Sequence, residues 1–425
     1  MIGLYFLRQV AEQMFYCGGK FMERCILHCD MNNFYASVEC MLDPSLKNHP
    51  VAVCGDVEMR RGVVLAKNYK AKEYGVQTGE PVWQAKKKCR CIITVPPHFE
   101  KYEEISKKAR KIYESYTDMV EPFGLDECWL DVTGSRRLFG NGEEIAHKIR
   151  EQIKRELGVT VSVGVSFNKV FSKLGSDLKK PDAVTVISYD SFKDQIWHLP
   201  ASDMLGVGKK TGAALKSMGV MTIGDLANIP VVYLKNKFGK CGEELHNRAN
   251  GKDNSPVVSR EIDFVDKSIG HGVTAAKDLT SNAEVYSCIL ELCEDIGHRL
   301  YKHNKKATGV AVSIKDNKLY SFSRQVKLPQ PTSSHTYIAQ VGYDLFLRNY
   351  SWNENVRAVS VRAIDLVDAD APCQLDIFAD VSKIIKLENI DRAVEELKEQ
   401  FGGGVIKRCN LLNQSYVNDS GIRFM

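Results

Sequence analysis

Ile26-Leu27-His28-Cys29-Asp30-Met31-Asn32-Asn33-Phe34-Tyr35-Ala36-Ser37-Val38-Glu39 is the stretch on which the fold turns. Ile26 to Cys29 reads as a short buried strand that ends at Asp30. Asn33–Met41 follows as a helix, with Phe34, Val38 and Met41 spaced along one face. Ninety-six residues after Asp30 comes Asp126, in Gly124-Leu125-Asp126-Glu127-Cys128-Trp129-Leu130-Asp131-Val132-Thr133, which puts two acids at a turn just before another strand. If the two strands are neighbours in one sheet, three carboxylates converge at one end. Carboxylates without a His or Cys partner suit hard cations with oxygen ligands, so Mg²⁺ rather than zinc. Two such ions about 3.5–4 Å apart stabilise the attacking and leaving oxygens of a phosphoryl transfer. Spacing alone leaves a second reading open, in which these are ordinary loop acids at strand ends.

The rest of the chain narrows the class. Its 425 residues suggest roughly three folded units. Net charge is only +5, so a nucleic-acid role has to come from local clustering of cations. No run of 18 apolar residues is present, which argues against a membrane span. Residues 1–23 read as an N-terminal extension, genuine or the product of a start placed too far upstream. They lack the basic n-region and cleavage site of a signal peptide. The close cysteine pairs Cys25/Cys29 and Cys89/Cys91 lack zinc spacing and read as reduced thiols. Further strands are expected at 51–54, 63–66, 91–95 and 159–165, and helices at 102–119, 143–157 and 169–178.

The residues around the acids carry a resemblance. Asp30 to Glu39 resembles the first metal motif of the Y-family DNA polymerases, and Gly124 to Thr133 the second. Tyr69-Lys70-Ala71-Lys72-Glu73-Tyr74-Gly75-Val76 is similar to the nucleotide-contacting segment between them. Gly164 to Lys173, running on to Lys179-Lys180-Pro181, resembles the helix that follows. The order of all four is the family's, and a bacterial branch stands nearest. The resemblance implies an α/β (α+β) right-hand polymerase with palm, small fingers, a helix-hairpin-helix thumb and a separate α+β little finger. It implies Asp30, Asp126, Glu127 and the Met31 carbonyl as ligands of two Mg²⁺, with the three acids as catalytic groups. Tyr35 falls at the steric gate that selects deoxyribose, and Phe34, Tyr69, Lys72 and Lys180 at the nucleotide site. Three departures stand out. Lys72 replaces a usual Arg, Gly124 a usual Ser, and Asn32 an Asp that is not a direct ligand.

The resemblance also implies domain bounds: palm 24–41 and 99–187, fingers 42–98, thumb 188–254 and little finger 258–369. An acidic tail, 370–425, follows. The strand at 91–95 is expected in the palm sheet with those at 25–30, 128–133 and 159–165. Leu205-Gly206-Val207-Gly208-Lys209 resembles the hairpin turn that meets a DNA phosphate, through Gly206, Gly208 and Lys209. Residues 296–328 hold eight Lys/Arg against one acid, and Lys305, Lys306 and Arg324 are expected on DNA. Lys86-Lys87-Lys88 with Arg90 is a weaker patch. Residues 365–399 carry ten acids against four bases, with a helix expected from Glu388 to Gln400. Within them Gln374, Leu375, Ile377 and Phe378 resemble a bacterial sliding-clamp peptide.

The expected activity is template-directed, error-prone synthesis across damaged DNA by a monomer in the bacterial cytosol, nucleoid-associated. Primer–template DNA, dNTPs and the sliding clamp are the expected partners, and no proofreading exonuclease is expected. A nucleotidyl cyclase could share a palm and paired acids but would not need the hairpin turn or basic unit. A non-catalytic DNA-binding protein would not need all three carboxylates.

Overall fold

The structure, a computed structural model, describes residues 24–58, 60, 62–259, 267–372, 381–411 and 416. Along the chain come β1 (Ile26–Met31), α1 (Phe34–Leu42), β2 (Val51–Cys54), β3 (Val64–Lys67), α2 (Tyr69–Glu73), α3 (Val82–Lys88) and β4 (Ile93–Val95). Then follow α4 (Phe99–Glu114), β5 (Val120–Phe123), β6 (Glu127–Asp131), α5 (Gly142–Leu157), β7 (Val161–Ser166), α6 (Lys169–Leu178) and β8 (Val184–Ile187). Short helices come next: α7 (Phe192–Ile196), α8 (Lys209–Ser217), α9 (Ile223–Asn228), α10 (Val231–Phe238) and α11 (Lys240–Ala249). The chain divides into two compact units, Met1–Gly55 with Val63–Asp263, and Asp56–Gly62 with Phe264–Met425.

The first unit is built on a five-stranded sheet, order β5-β6-β1-β7-β8. Successive side chains on a strand point to opposite faces. One face therefore offers Leu27, Cys29, Met31, Leu130, Val161, Val163 and Val165, which form a core with Tyr102 of α4 and Ile145, Ile149 and Ile153 of α5. α5 starts where Asn141 and Glu144 form a reciprocal capping box. The other face carries His28, Asp30, Glu127, Trp129, Ser162 and Gly164, and α6 lies against it. Gly164 is what lets α6 come so close. A Cβ there would stand 1.9 Å from the Ser172 carbonyl oxygen and 2.5 Å from the Ser176 nitrogen.

The strand expected at 91–95 in this sheet is elsewhere. β4 runs parallel to β2 in a separate sheet, order β3-β2-β4, with Val51 opposite Ile93 and Val53 opposite Val95. Only three residues long and nowhere buried, it suits a small edge better than the core of a five-stranded sheet. β5 and β8, which the sequence pattern did not single out, supply the two edges of that larger sheet.

The second unit contains β9 (Ser268–Leu279), α12 (Asn282–Lys302), β10 (Lys305–Asp316), β11 (Ser321–Thr332), α13 (His335–Asn349), β12 (Val356–Asp368) and α14 (Val381–Phe401). Its antiparallel sheet runs β11-β10-β12-β9, and α12 and α13 cover one face through Ile289, Leu292, Ile296, Ile338 and Phe346. The tail departs from expectation. α14 begins seven residues before Glu388 and packs on α13 and β11. Three of its acids, Glu388, Asp391 and Glu395, are buried. Asp391 accepts from the Ser334 hydroxyl (2.6 Å) and from the amide and hydroxyl of Thr336 (3.0 and 2.7 Å).

Candidate active site

Strand register brings the acids together. β1 pairs with β6 so that Asp30 stands opposite Glu127, and the Met31 amide donates to the Asp126 carbonyl at 3.0 Å. Gly124, at φ +80°, makes the turn into β6 in a backbone region that a Ser would strain. Asn32 is buried and uses both ends of its amide: it donates to Ser162 Oγ (2.9 Å) and accepts from the Asp182 amide (2.9 Å). It ties β7 and the Lys180-Pro181 loop to the end of β1, so an amide serves there better than an acid.

The electrostatics set the three carboxylates apart. Burial pushes the Asp30 carboxyl up to about 6, against the pull of the Lys180 ammonium 2.7 Å away. Burial also raises Asp126, and the Glu127 charge adds to it. Glu127 goes the other way. Burial would raise it, but the His28 ring beside it and the Lys173 ammonium bonded to it outweigh that and hold it at about 2. Lys180 also reaches Asp177 at 2.8 Å; although burial works against its charge, the two aspartates hold its ammonium well above the usual range. Among the described residues no three His, Cys, Asp or Glu side chains stand in the geometry of a metal cluster. The lysines occupy Asp30 and Glu127 instead. The donor chemistry nevertheless fits a hard cation, because all the acids offer oxygen and Asp126 makes no ion pair among the described residues.

Around this centre the sequence-predicted residues divide. Tyr35 stacks on Tyr102 with ring centroids 4.3 Å apart and planes within 9°, and Phe99 meets it edge-on at 6.0 Å. Burial and the Asp126 charge both raise its hydroxyl. Phe34 and Tyr35 face different ways. One residue turns a helix by about 100°, and Phe34, 3% exposed, points into the core while Tyr35 stays half-buried. Tyr69 is half-buried and feels both Lys180 and Asp30. Lys72 is exposed, with its ammonium 5.8 Å from the Tyr69 ring centre.

The expected DNA-binding residues divide as well. Gly206, at φ +96°, and Gly208 lead into α8, and Lys209 opens that helix fully exposed. Arg324 is exposed on β11. Lys306 is half-buried, with its ammonium paired at 2.8 Å with buried Glu388 of α14. Lys305 pairs with exposed Asp368. Gln374, Leu375, Ile377 and Phe378 lie outside the described residues. Sequence reasoning missed Lys173, His28 and Lys67. Lys173 sat within a quoted motif without a role, and Lys67 is a half-buried lysine beside Lys72 whose charge burial disfavours.

Comparison with known proteins gives these features a family. Residues 29–177 match the impB/mucB/samB family, 266–377 its C-terminal domain, and 202–253 the DNA polymerase-iota thumb domain. The chain is 52% identical over 397 residues to a DNA polymerase IV of Acetivibrio thermocellus, covering 93% of this chain and 100% of that protein. It is 35% identical to DNA polymerase IV 1 of Bacillus subtilis (strain 168), covering 94% and 96%. Among solved structures it is similar to the Y-family DNA polymerase chimera Dbh-Dpo4(243-245)-Dbh, at 26% identity and TM-score 0.71, covering 81% of this chain and 99% of that one. The chain belongs to the Y family of DNA polymerases, right-handed DNA-directed enzymes that copy damaged templates and lack a proofreading exonuclease. Its substrates are a DNA template and dNTPs, and the family is generally metal-dependent. Among the described residues no helix is long and apolar enough to cross a membrane.

Proposed function

We propose that this chain adds a deoxynucleotide to a primer 3′-hydroxyl with Asp30, Asp126, Glu127 and the Met31 carbonyl holding two Mg²⁺. The observation that carries the reading is the register that sets Asp30 against Glu127 and closes Met31 on Asp126. Bound Mg²⁺ would supply Lewis acidity and neutralise phosphate charge. The protein's own part is positioning. Tyr35, held flat on Tyr102, bars a 2′-hydroxyl. Tyr69, Lys72 and Lys180 receive the triphosphate, and Lys180 leaves Asp30 to do so. Lys67 is a further phosphate contact on the same edge.

The same reading assigns 24–41 and 99–187 to the palm, 42–98 to the fingers, 188–254 to the thumb and 258–369 to the little finger. Gly206, Gly208 and Lys209 face a DNA phosphate. The open face of the second sheet faces the duplex: a hollow of about 640 Å³ lined by small residues such as Ser268, Gly270, Gly272 and Ser360, with Lys315 and Arg362 beside them. Gln374, Leu375, Ile377 and Phe378 engage the sliding clamp, and the enzyme works as a monomer in the bacterial cytosol. Primer extension with Mg²⁺ tests the centre. Asp126→Asn and Glu127→Gln should each lower kcat at least 10³-fold while primer–template binding stays within about twofold. Extension at wild-type rate by either variant overturns the assignment.

A further inference from the structure

Glu127 is held from behind. Its Oε2 lies 3.1 Å from Nε2 of His28 and also takes the Lys173 ammonium, while Oε1 makes no hydrogen bond among the described residues. An ionised carboxylate can only accept, so Glu127 favours the tautomer with its hydrogen on Nε2, although the ring is not aligned for a hydrogen bond to it. The other ring nitrogen, Nδ1, lies 2.8 Å from Ser176 Oγ. Ser176 is carried by α6, which the close approach over Gly164 locks to the sheet. The Trp129 ring, 5.0 Å away and tilted by 60°, covers the imidazole. His28 is completely buried, with Nδ1 hydrogen-bonded to Ser176 and Nε2 beside Glu127 as its nearest charged group but without a hydrogen bond of its own. An apolar side chain would fill the volume without the cost of burying a polar ring, so packing does not explain a histidine here.

We propose that His28 is a positioning residue for Glu127. Oriented by Ser176 and Trp129, it holds one carboxylate oxygen and leaves the other as a ligand for the divalent cation. The proposal rests on reading Glu127 as a metal ligand and adds the group that aims it. Partners of this kind behind a metal ligand are worth about 10–100-fold in metal affinity.

Two amide substitutions separate aiming from packing. Glutamine at 28 places its side-chain nitrogen where Nε2 stands, and asparagine places its own where Nδ1 stands. Mn²⁺ binding to the complex with dideoxy-terminated primer–template and dNTP is read from the electron spin resonance of the free ion. Single-nucleotide kinetics separate kcat from KM for dNTP. His28→Gln should stay within about threefold of wild type in Mn²⁺ affinity, whereas His28→Asn should lose about 10–100-fold. In His28→Asn kcat should fall more than KM changes, with DNA affinity unaltered. A role confined to anchoring Ser176 predicts the reverse order, and that order, or equal affinity in both variants, overturns the proposal. Should either variant fail to fold, Ser176→Ala removes only the hydroxyl that orients the ring and should weaken Mn²⁺ about tenfold. Unchanged affinity there also overturns it. Glu127→Gln measured alongside keeps the two readings apart. If it leaves Mn²⁺ affinity intact, the metal-ligand reading fails; if it weakens binding while the His28 and Ser176 variants do not, only the positioning role fails.

Discussion

At the scale of single residues the centre trades stability for charge. Asp30 is the clearest case, because its carboxyl is lifted from about 3.9 in an unfolded chain to about 6 in the fold. Between those values the folded state binds the extra proton, so stability falls as pH rises through that window. Above pH 6 the whole penalty is present, about 3 kcal/mol at most. In metal-free protein, Asp30→Asn should therefore raise Tm at pH 7.5 by several degrees, and the gain should shrink toward zero near pH 4. Thermal melts of both proteins across that range check it. An equal gain at pH 4 and pH 7.5 would show that the amide stabilises by some route other than charge. Glu127 has the opposite sign: its stability is present above about 4.3 and is lost as pH falls toward 2.

At the scale of elements, what the sequence reveals depends on whether a group's partners are neighbours in the chain. Asp30 to Glu39 and Gly124 to Thr133 are legible because each puts strand, turn and acids into one run. The roles of Lys173 and Ser176 are not, because they meet Glu127 and His28 only after α6 lies down on the sheet. Gly164 makes that contact possible. Gly164→Ala should push α6 outward, costing about 1–3 kcal/mol and lowering kcat, since Lys173 and Ser176 ride on the helix. A melt and a single-incorporation assay read both, and a variant at wild-type values would mean that α6 can yield without moving its side chains. The burial of acids on α14 is hidden from the sequence for a related reason. The run 365–399, with ten acids against four bases, shows no partner for them, and the partners of Asp391 lie at Ser334, Thr336 and Arg408. Asp391→Ala strips that cluster of its acceptor and should cost about 3–5 kcal/mol. Hydrogen exchange should then speed up across 381–401 while residues 26–31 stay protected. Unchanged exchange in α14 would mean that its apolar contacts alone hold it.

At the scale of the whole molecule, charge has to be counted after the fold has used its share. The net charge of +5 is small, and the cation-rich run at 296–328 overstates what is free, since Lys306 answers Glu388 and Lys318 answers Glu354. Exposed cations that share the open face of the second sheet are Lys315, Lys327 and Arg362, on β10, β11 and β12, whereas Arg324 stands opposite Val312 on the face that α12 and α13 cover. Small side chains such as Gly270, Gly272, Ser313 and Ser360 lie among them, with little capacity to read base edges. Binding to primer–template should therefore be indifferent to sequence and steep in salt. With roughly six to ten phosphates neutralised, affinity should fall about 10³–10⁵-fold between 50 and 200 mM salt. Replacing Lys315, Lys327 and Arg362 together by Ala should flatten the slope of log K against log salt by up to about three, because each phosphate contact contributes about 0.9. Lys306→Ala should leave the slope unchanged, because its charge is already neutralised by Glu388. Fluorescence anisotropy with duplexes of two unrelated sequences at four salt concentrations measures both. A slope that follows Lys306 rather than the three exposed cations would mean that DNA draws Lys306 away from α14.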